Sequence, residues 1–190
     1  VDELEGAGIK NNPVDRCYLC KKYMFTKVKE LAHSLGISTI LEGTNADDLK
    51  QYRPGIKAIQ ELGLHSPLLE ANMTKKEIRE LAADYDLKAA NKPSSPCLAT
   101  RFPYHTLLNY EEMRKVEKIE DYLHACGFYN VRARIHNDLV RLEIDQDAFM
   151  KCMDYRQEIV LFIKELGYDY VTLDLEGFRS GSQDIKLEEK

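Results

Sequence analysis

The chain has 190 residues, 44% of them hydrophobic, and a formal net charge of −5. This length holds one generous domain or two small ones. No apolar run approaches the ~18 residues that a membrane span needs, so we expect no membrane partner. The negative charge argues against binding of nucleic acid over the whole surface, although a local basic pocket is compatible with it.

The first half of the chain predicts helices that alternate with an apolar strand. A helix is expected over residues 21–35, where apolar side chains recur at helical spacing. The segment 37–43, ISTILEG, has the β-branched composition of a buried strand, and a polar loop over residues 43–55 follows it. Thr74 and Glu77 have the spacing of a capping box, which predicts the start of a further helix.

The second half predicts the order helix, strand, strand, helix, strand. A proline-containing loop over residues 91–105 precedes a helix over 109–126, and a hairpin turns at Asn137-Asp138. A single helix is expected over 146–166 and a last strand over 169–175. Helices alternating with short apolar strands indicate an α/β layered fold.

Five cysteines and the absence of a signal peptide predict reduced thiols in a cytoplasmic protein, because an odd count suits no complete disulfide framework. Cys17 and Cys20 form a Cys-x-x-Cys motif, which is compatible with a redox dithiol, half a zinc site or part of an iron–sulfur site. A loop precedes the motif. Cys97 is the third thiolate candidate because it lies in an irregular loop, whereas Cys126 and Cys152 fall on apolar helical stripes.

The loop EGTNADD, residues 42–48, directly follows the predicted strand. In α/β sheets, ligands bind at the carboxyl ends of strands. Backbone amides in such a loop can contact a nucleotide, and its acidic side chains can hold magnesium. The same residues would also make an ordinary surface turn.

The hairpin places charged residues opposite each other. With a two-residue turn, Arg134 faces Arg141 and Arg132 faces Glu143. Like charges in direct opposition are unfavourable unless an anion lies between them, which suggests a phosphate or carboxylate pocket. The pattern alone favours the alternative, a solvated face whose arginines extend into water.

Glu120 lies at the edge of the apolar stripe of helix 109–126. A carboxylate at such a position needs a cation, a metal ion or access to solvent. Access to solvent is the ordinary outcome for a single carboxylate at the edge of a stripe.

Several motifs together resemble a known family. In order along the chain they are NPVDRCYLCK, LEGTNADDLKQYRPG, SPLLE, TKKEIRELA, KPSSPCLATRFPY, VRARIHNDLVRLEI and GYDYVTLDLEGFRSGS. Their order and spelling resemble the LarE-type ATP-dependent sulfur transferases of the ATP-pyrophosphatase (PP-loop) superfamily. The resemblance covers essentially the whole chain.

The resemblance implies an enzyme of nickel-pincer nucleotide cofactor biosynthesis. Such enzymes adenylate a carboxylate of pyridinium-3,5-biscarboxylic acid mononucleotide and then replace oxygen by sulfur, which gives a thiocarboxylate. The sulfur comes from one sacrificed cysteine or, in members with three cysteines, from a [4Fe-4S] cluster carrying an extra sulfide. By this resemblance Cys17, Cys20 and Cys97 are the cluster ligands, and Cys97 is also the residue that delivers sulfur.

The resemblance also assigns the remaining site residues. By this resemblance Glu120 is an acidic catalytic residue of the active site. A second acidic residue of the family falls near Asp147 or Lys151. The resemblance assigns binding of a small nucleotide-like substrate to Thr100, Arg101, Arg132 and Arg134. It assigns binding of ATP and magnesium to the loop residues Gly43, Thr44, Asn45, Asp47 and Asp48.

By the same resemblance the fold is the C-terminal part of a Rossmann-like ATP-pyrophosphatase domain over residues 1–102, with a small α+β domain over 103–190 for substrate binding and homo-oligomer formation. The Ser-Gly-Gly-x-Asp-Ser loop that holds pyrophosphate in the family does not occur in this sequence, which also begins without Met. We therefore expect an incomplete enzyme that does not hydrolyse ATP alone.

Two other functions are compatible with these motifs. A tRNA-thiolating enzyme would use a related fold and a similar three-cysteine cluster, although the net charge of −5 argues against it. A non-catalytic iron–sulfur or zinc module that binds a partner would retain metal but would not respond to nucleotide.

Overall fold

The computed structural model describes residues 2–50, 53–92 and 95–182 of a mixed α/β chain. The chain divides into two compact units, Val1–Lys92 and Pro93–Lys190. The two units meet between residues 92 and 93, earlier in the chain than the domain boundary predicted after residue 102. Residues 51–52 and 93–94 of the two predicted loops lie outside the described residues. Each helix of the described ranges is too short or too polar to cross a lipid bilayer.

The described residues of the first unit are helical, apart from loops and one isolated β-bridge. Its α-helices are α1 (Glu3–Gly6), α2 (Arg16–Ser34), α3 (Gly55–Leu62), α4 (Pro67–Glu70) and α5 (Lys75–Asp84). The predicted capping box is confirmed at α5, where the Thr74 hydroxyl accepts from the Glu77 amide and the Glu77 carboxylate accepts from the Thr74 amide.

Helix α2 begins five residues before the predicted start at residue 21, so the Cys-x-x-Cys motif lies in the helix and not in the loop before it. Asp15 precedes the helix without a side-chain cap, and its carbonyl accepts from the amides of Tyr18 and Leu19. The predicted apolar stripe of α2 is mostly exposed. Ala32 is buried, whereas the exposed members are Met24, Val28, Leu31 and Leu35.

The predicted strand over residues 37–43 is not formed. Leu41 makes one isolated parallel bridge to His65, and the Leu41 side chain is 63% exposed. A strand needs a hydrogen-bonded neighbour along its length. In the described part of this unit, only His65 forms β-bridge hydrogen bonds with this segment. The prediction of a buried strand was therefore wrong for this structure.

The second unit contains a three-stranded sheet backed by helices. The strands are β1 (Val131–His136), β2 (Leu139–Ile144) and β3 (Tyr170–Leu173), and the helices are α6 (Tyr110–Ala125), α7 (Phe149–Asp154) and α8 (Arg156–Glu165). The order is β1-β2-β3, with β1 and β2 antiparallel and β2 and β3 parallel. The predicted hairpin is confirmed, with Arg134 opposite Arg141 and Arg132 opposite Glu143.

Apolar side chains of α6, α8 and the sheet form the core of this unit. Its fully buried members include Val116, Ile119, Leu123, Val131, Val140, Leu142, Ile144, Ile159 and Ile163. Helix α6 follows its prediction, since the Asn109 side chain accepts from the Glu112 amide at its start. The single helix predicted over 146–166 is instead a 3-10 turn, α7 and α8, with a break at Tyr155.

Candidate active site

Cys17 and Cys20 lie in the first two turns of α2, three residues apart and therefore on one side of the helix. Cys17 is exposed and Cys20 is half-buried. Gly55 at the start of α3 packs against this turn, because a Cβ atom there would lie 2.7 Å from Lys21 Cδ and 3.4 Å from the Cys17 carbonyl oxygen. The close approach of α3 therefore fixes the backbone that carries the cysteine pair.

The Tyr18 side chain, between the two cysteines, also joins α2 to α3. Its hydroxyl donates to Glu61 at 2.8 Å, and Lys22 donates to the same carboxylate oxygen at 2.9 Å. These bonds fix the turn of α2 that carries both cysteines.

The predicted nucleotide loop is folded on itself by its own side chains. The Thr44 amide donates to Glu42 at 3.1 Å, the Asn45 amide to Asp48 at 3.1 Å and the Asp47 amide to the Asn45 side chain at 3.0 Å. Asp47 also accepts from the Lys75 amide at 2.9 Å at the start of α5. These amides are therefore already paired within the first unit. Gly43 has open space around it, since a Cβ atom there would meet no atom within 4 Å.

Cys97 is exposed and begins a 3-10 turn, Leu98–Arg101, in the second unit. We call residues 97–101 the Cys97 turn. The Cys97 carbonyl accepts from the Thr100 amide at 3.0 Å and from the Thr100 hydroxyl at 2.8 Å. Ala99 inside the turn is fully buried, and so is Phe102 after it. The turn is anchored in the core while its first residue presents a thiol to solvent.

Arg101 and Glu120 form a buried bidentate pair. Arg101 Nε donates to Glu120 Oε1 at 2.8 Å and Arg101 Nη2 to Glu120 Oε2 at 2.7 Å, with residue exposures of 1% and 7%. Glu120 Oε1 also accepts from the Ala133 amide of β1 at 2.9 Å. The expected access of Glu120 to solvent is therefore wrong: its partner is a guanidinium of the same unit.

Arg134 and Glu143 form a second buried pair, at distances of 3.1 Å (Nε to Oε1) and 2.9 Å (Nη2 to Oε2). Arg141 faces Arg134 as predicted, but Arg141 Nη2 lies 3.2 Å from Glu143 Oε1. The repulsion between the two arginines is thus relieved by Glu143 of this chain. The alternative prediction of a solvated face is wrong, because Arg134 and Glu143 are 4% and 0% exposed.

Arg132 lies beside these pairs and is also buried. Its guanidinium lies over the Phe178 ring, 5.0 Å from the centroid, and Nη1 donates to the Val131 carbonyl at 2.6 Å. Burial, together with the charges of Arg101 and Arg134, lowers the pKa of Arg132 to about 10 against the opposing effects of Glu120 and Glu143. An added anion would therefore stabilise the neighbouring guanidinium groups of Arg101, Arg132 and Arg134.

The segment 174–182 runs beside the arginines and contributes residues that the sequence analysis did not identify. Ser182 Oγ lies 2.7 Å from Arg134 Nη2 and 3.0 Å from both oxygens of Glu143. Asp174 accepts from Arg141 Nη1 at 2.7 Å. Gly177 has φ of +70°, and a Cβ atom there would lie 2.9 Å from the Ile144 carbonyl oxygen, so glycine is needed at this turn.

The other predicted positions lie away from this cluster. Lys151 Nζ donates to the Gly127 carbonyl at 2.9 Å at the end of α6, and Asp147 lies in the 3-10 turn before α7. Cys152 is buried and its thiol pKa is raised by burial, which suits an inert core residue. Within the described part of either unit, no three His, Cys, Asp or Glu side chains form a metal-binding group.

Comparisons with known proteins identify relatives over nearly the whole chain, although no family model matches it. The pyridinium-3,5-bisthiocarboxylic acid mononucleotide synthase of Lactiplantibacillus plantarum is 38% identical over 187 residues, which are 98% of this chain and 68% of that protein. An uncharacterised protein of Synechocystis is 37% identical over 95% of this chain and 68% of its own length.

An uncharacterised protein of Methanocaldococcus jannaschii is 33% identical over 90% of this chain and 67% of its own length. Identity at this level over almost every residue shows common descent, and it extends across both units of the structure. The chain therefore belongs to the LarE family of pyridinium-3,5-bisthiocarboxylic acid mononucleotide synthases.

Proposed function

We propose that the chain is the sulfur-transferring part of an enzyme of nickel-pincer nucleotide cofactor biosynthesis. The observation that carries this proposal is the 38% identity to a pyridinium-3,5-bisthiocarboxylic acid mononucleotide synthase over 98% of the chain. The second unit supports it with an exposed thiol, Cys97, on a turn that is bonded to a buried guanidinium cluster.

The proposed reaction has two steps. A carboxylate oxygen of pyridinium-3,5-biscarboxylic acid mononucleotide attacks the α-phosphorus of ATP, which releases pyrophosphate and leaves an acyl adenylate. A sulfur nucleophile then attacks the acyl carbon, and AMP leaves with the oxygen. A sulfide gives the thiocarboxylate directly, whereas the Cys97 thiolate gives a thioester, whose Cβ–Sγ bond breaks when the Cα proton is removed and leaves the thiocarboxylate and a dehydroalanine. Activation by ATP is needed because a free carboxylate does not exchange oxygen for sulfur directly.

Cys97 is the proposed point of sulfur delivery because it is exposed, lies on an anchored turn and adjoins cationic side chains of the same unit. Arg132, with Arg101 and Arg134 beside it, is the proposed binding place for the substrate phosphate, since buried guanidinium groups gain from an added anion. If Cys97 is itself sacrificed, each chain reacts once and loses the mass of one hydrogen sulfide, which intact-protein mass spectrometry after reaction will detect.

A [4Fe-4S] cluster held by Cys17, Cys20 and Cys97 is proposed as the cofactor, and when bound it would supply a place for an extra sulfide. The donor set fits such a group in two respects. All three side chains are exposed or half-exposed, and the pair on α2 lies three residues apart at a helix N-terminus. Cys152, which is buried, does not fit it.

We expect anaerobic reconstitution with iron and sulfide to give the broad visible absorbance of a [4Fe-4S] cluster. Substitution of any one ligand, in Cys17→Ser, Cys20→Ser or Cys97→Ser, should abolish that absorbance because three thiolates are needed to hold the cluster. Cys152→Ser is the matched control and should keep it. Full absorbance in Cys97→Ser, or its loss in Cys152→Ser, would contradict the ligand set.

We further expect this chain alone to bind ATP weakly or not at all. The Ser-Gly-Gly-x-Asp-Ser loop does not occur in its sequence, and the amides of Thr44, Asn45 and Asp47 are paired with side chains of their own loop. Isothermal titration with ATP and magnesium is the measurement. Micromolar affinity or release of pyrophosphate would refute this expectation and show that loop 42–48 opens to the nucleotide.

A further inference from the structure

We propose that Arg101, Glu120, Arg134 and Glu143 are positioning residues that fix the backbone of the Cys97 turn. The proposal rests on the proposed function, because it matters for catalysis only if Cys97 delivers sulfur. Its structural content can nevertheless be tested without sulfur transfer.

Arg101 uses its guanidinium for two tasks. Nε and Nη2 make the bidentate pair with Glu120, which fixes the plane of the group. Nη1 is thereby directed at the turn, where it lies 2.7 Å from Thr100 Oγ1, 3.3 Å from the Pro96 carbonyl oxygen and 3.4 Å from that of Cys97. The Glu120 carboxylate therefore orients the group that holds the carbonyl of the thiol-bearing residue.

Arg134 of β1 makes the same kind of arrangement. Its Nε and Nη2 pair with Glu143, and its Nη1 donates to the Thr100 carbonyl at 2.6 Å. Nη2 also donates to Ser182 at 2.7 Å. Two buried forks thus hold carbonyls at both ends of the Cys97 turn, that of Cys97 at its start and that of Thr100 near its end.

The number of donors in use supports a positioning role. A guanidinium has five N–H groups. In Arg134 four of them are directed at Glu143, Ser182 and Thr100, and in Arg101 the bonds to Glu120 and the turn use a similar share. Most donors of both groups are therefore used within this unit, and the turn that they hold presents an exposed thiol.

Hydrogen exchange read by mass spectrometry will test this inference in the 190-residue chain. In Glu120→Gln and Glu143→Gln, we expect the Thr100 and Phe102 amides, which donate inside the turn, to exchange at least tenfold faster than in the parent. Amides of α8 serve as the internal reference and should not change. Glu117→Gln is the matched control, because Glu117 is exposed on the same helix as Glu120.

Two further readouts separate positioning from the alternatives. Affinity for inorganic phosphate should not fall in either glutamine variant, because each removes a negative charge beside the arginines, while Arg132→Ala should weaken it. The rate of Cys97 alkylation relative to Cys17 in the same sample should change in the glutamine variants only. If either of these does not fold, Arg101→Lys keeps a cation beside Glu120 but removes the fork and should also loosen the turn.

An unchanged exchange rate in the turn of folded Glu120→Gln and Glu143→Gln would overturn the inference. Faster exchange that is equal in α8 would also overturn it, because it would show a role in overall stability only. Loosening confined to the turn, together with full cluster absorbance in Cys97→Ser, would support the positioning role and count against the part that Cys97 has in the proposed function.

Discussion

Arg101→Ala is expected to lower the free energy of unfolding of the second unit by about 3–5 kcal/mol, the range found when one partner of a buried ion pair is removed. Glu120 would still accept the hydrogen bond from the Ala133 amide. It would lose its salt bridge to Arg101, which is the cation paired with it among the described residues. An ionised carboxylate that is 7% exposed would then lose its bidentate partner, and the charge of Arg132 would compensate only in part. Urea unfolding followed by circular dichroism is the measurement.

The double variant Arg101→Met, Glu120→Leu is the informative companion. Replacing a buried ion pair by apolar side chains of similar volume is often neutral, because neither charge then has to leave water. We expect the double variant to recover most of the stability that Arg101→Ala loses. A double variant as unstable as the single one would show that the pair stabilises the fold directly.

Arg134→Ala is expected to lower the free energy of unfolding by about 3 kcal/mol, at the lower end of the same range. The loss is smaller because Glu143 retains Arg141 at 3.2 Å and the Ser182 hydroxyl at 3.0 Å. This reverses the simplest inference from the hairpin, in which removing one of two facing arginines would relieve repulsion and leave stability unchanged or higher.

Arg156→Ala provides the control for this variant. Arg156 is exposed and donates to the Met153 carbonyl at 2.9 Å, so the same truncation there should change stability by less than about 0.5 kcal/mol. Arg134→Lys should be intermediate, since it keeps a cation near Glu143 without the bidentate geometry. A loss in Arg134→Ala as small as that in Arg156→Ala would contradict the buried-pair explanation.

The sequence predicted the second unit better than the first because its signals are local. The turn at Asn137-Asp138 fixes the register of the hairpin, and Asn137 has the positive φ that such turns need. The Asn109 cap and its apolar stripe similarly define α6. The segment 37–43 has strand composition, but a strand also requires distant neighbours, which composition does not specify.

In the candidate site, residue identity could be predicted but not the pairing of charges. The opposition of Arg134 and Arg141 correctly indicated a need for negative charge. The source of that charge, Glu143, lies diagonally across the hairpin from Arg134 and could have been found, because diagonal neighbours are within reach of long side chains. The contribution of Ser182 depends on how residues after β3 return to the sheet, for which the sequence gives no signal.

The bond from the Ala133 amide to Glu120 has a consequence for behaviour at high concentration. In the part of the chain that the structure describes, β1 is the outermost strand on its side of the sheet. An outermost strand with unpaired amides can pair with a strand of another molecule and start aggregation. The Glu120 carboxylate accepts a hydrogen bond from one of these amides, that of Ala133. The helix of Glu120, α6, therefore lies against that edge of β1. The same carboxylate that orients Arg101 thus also makes pairing of β1 with a strand of another copy less favourable.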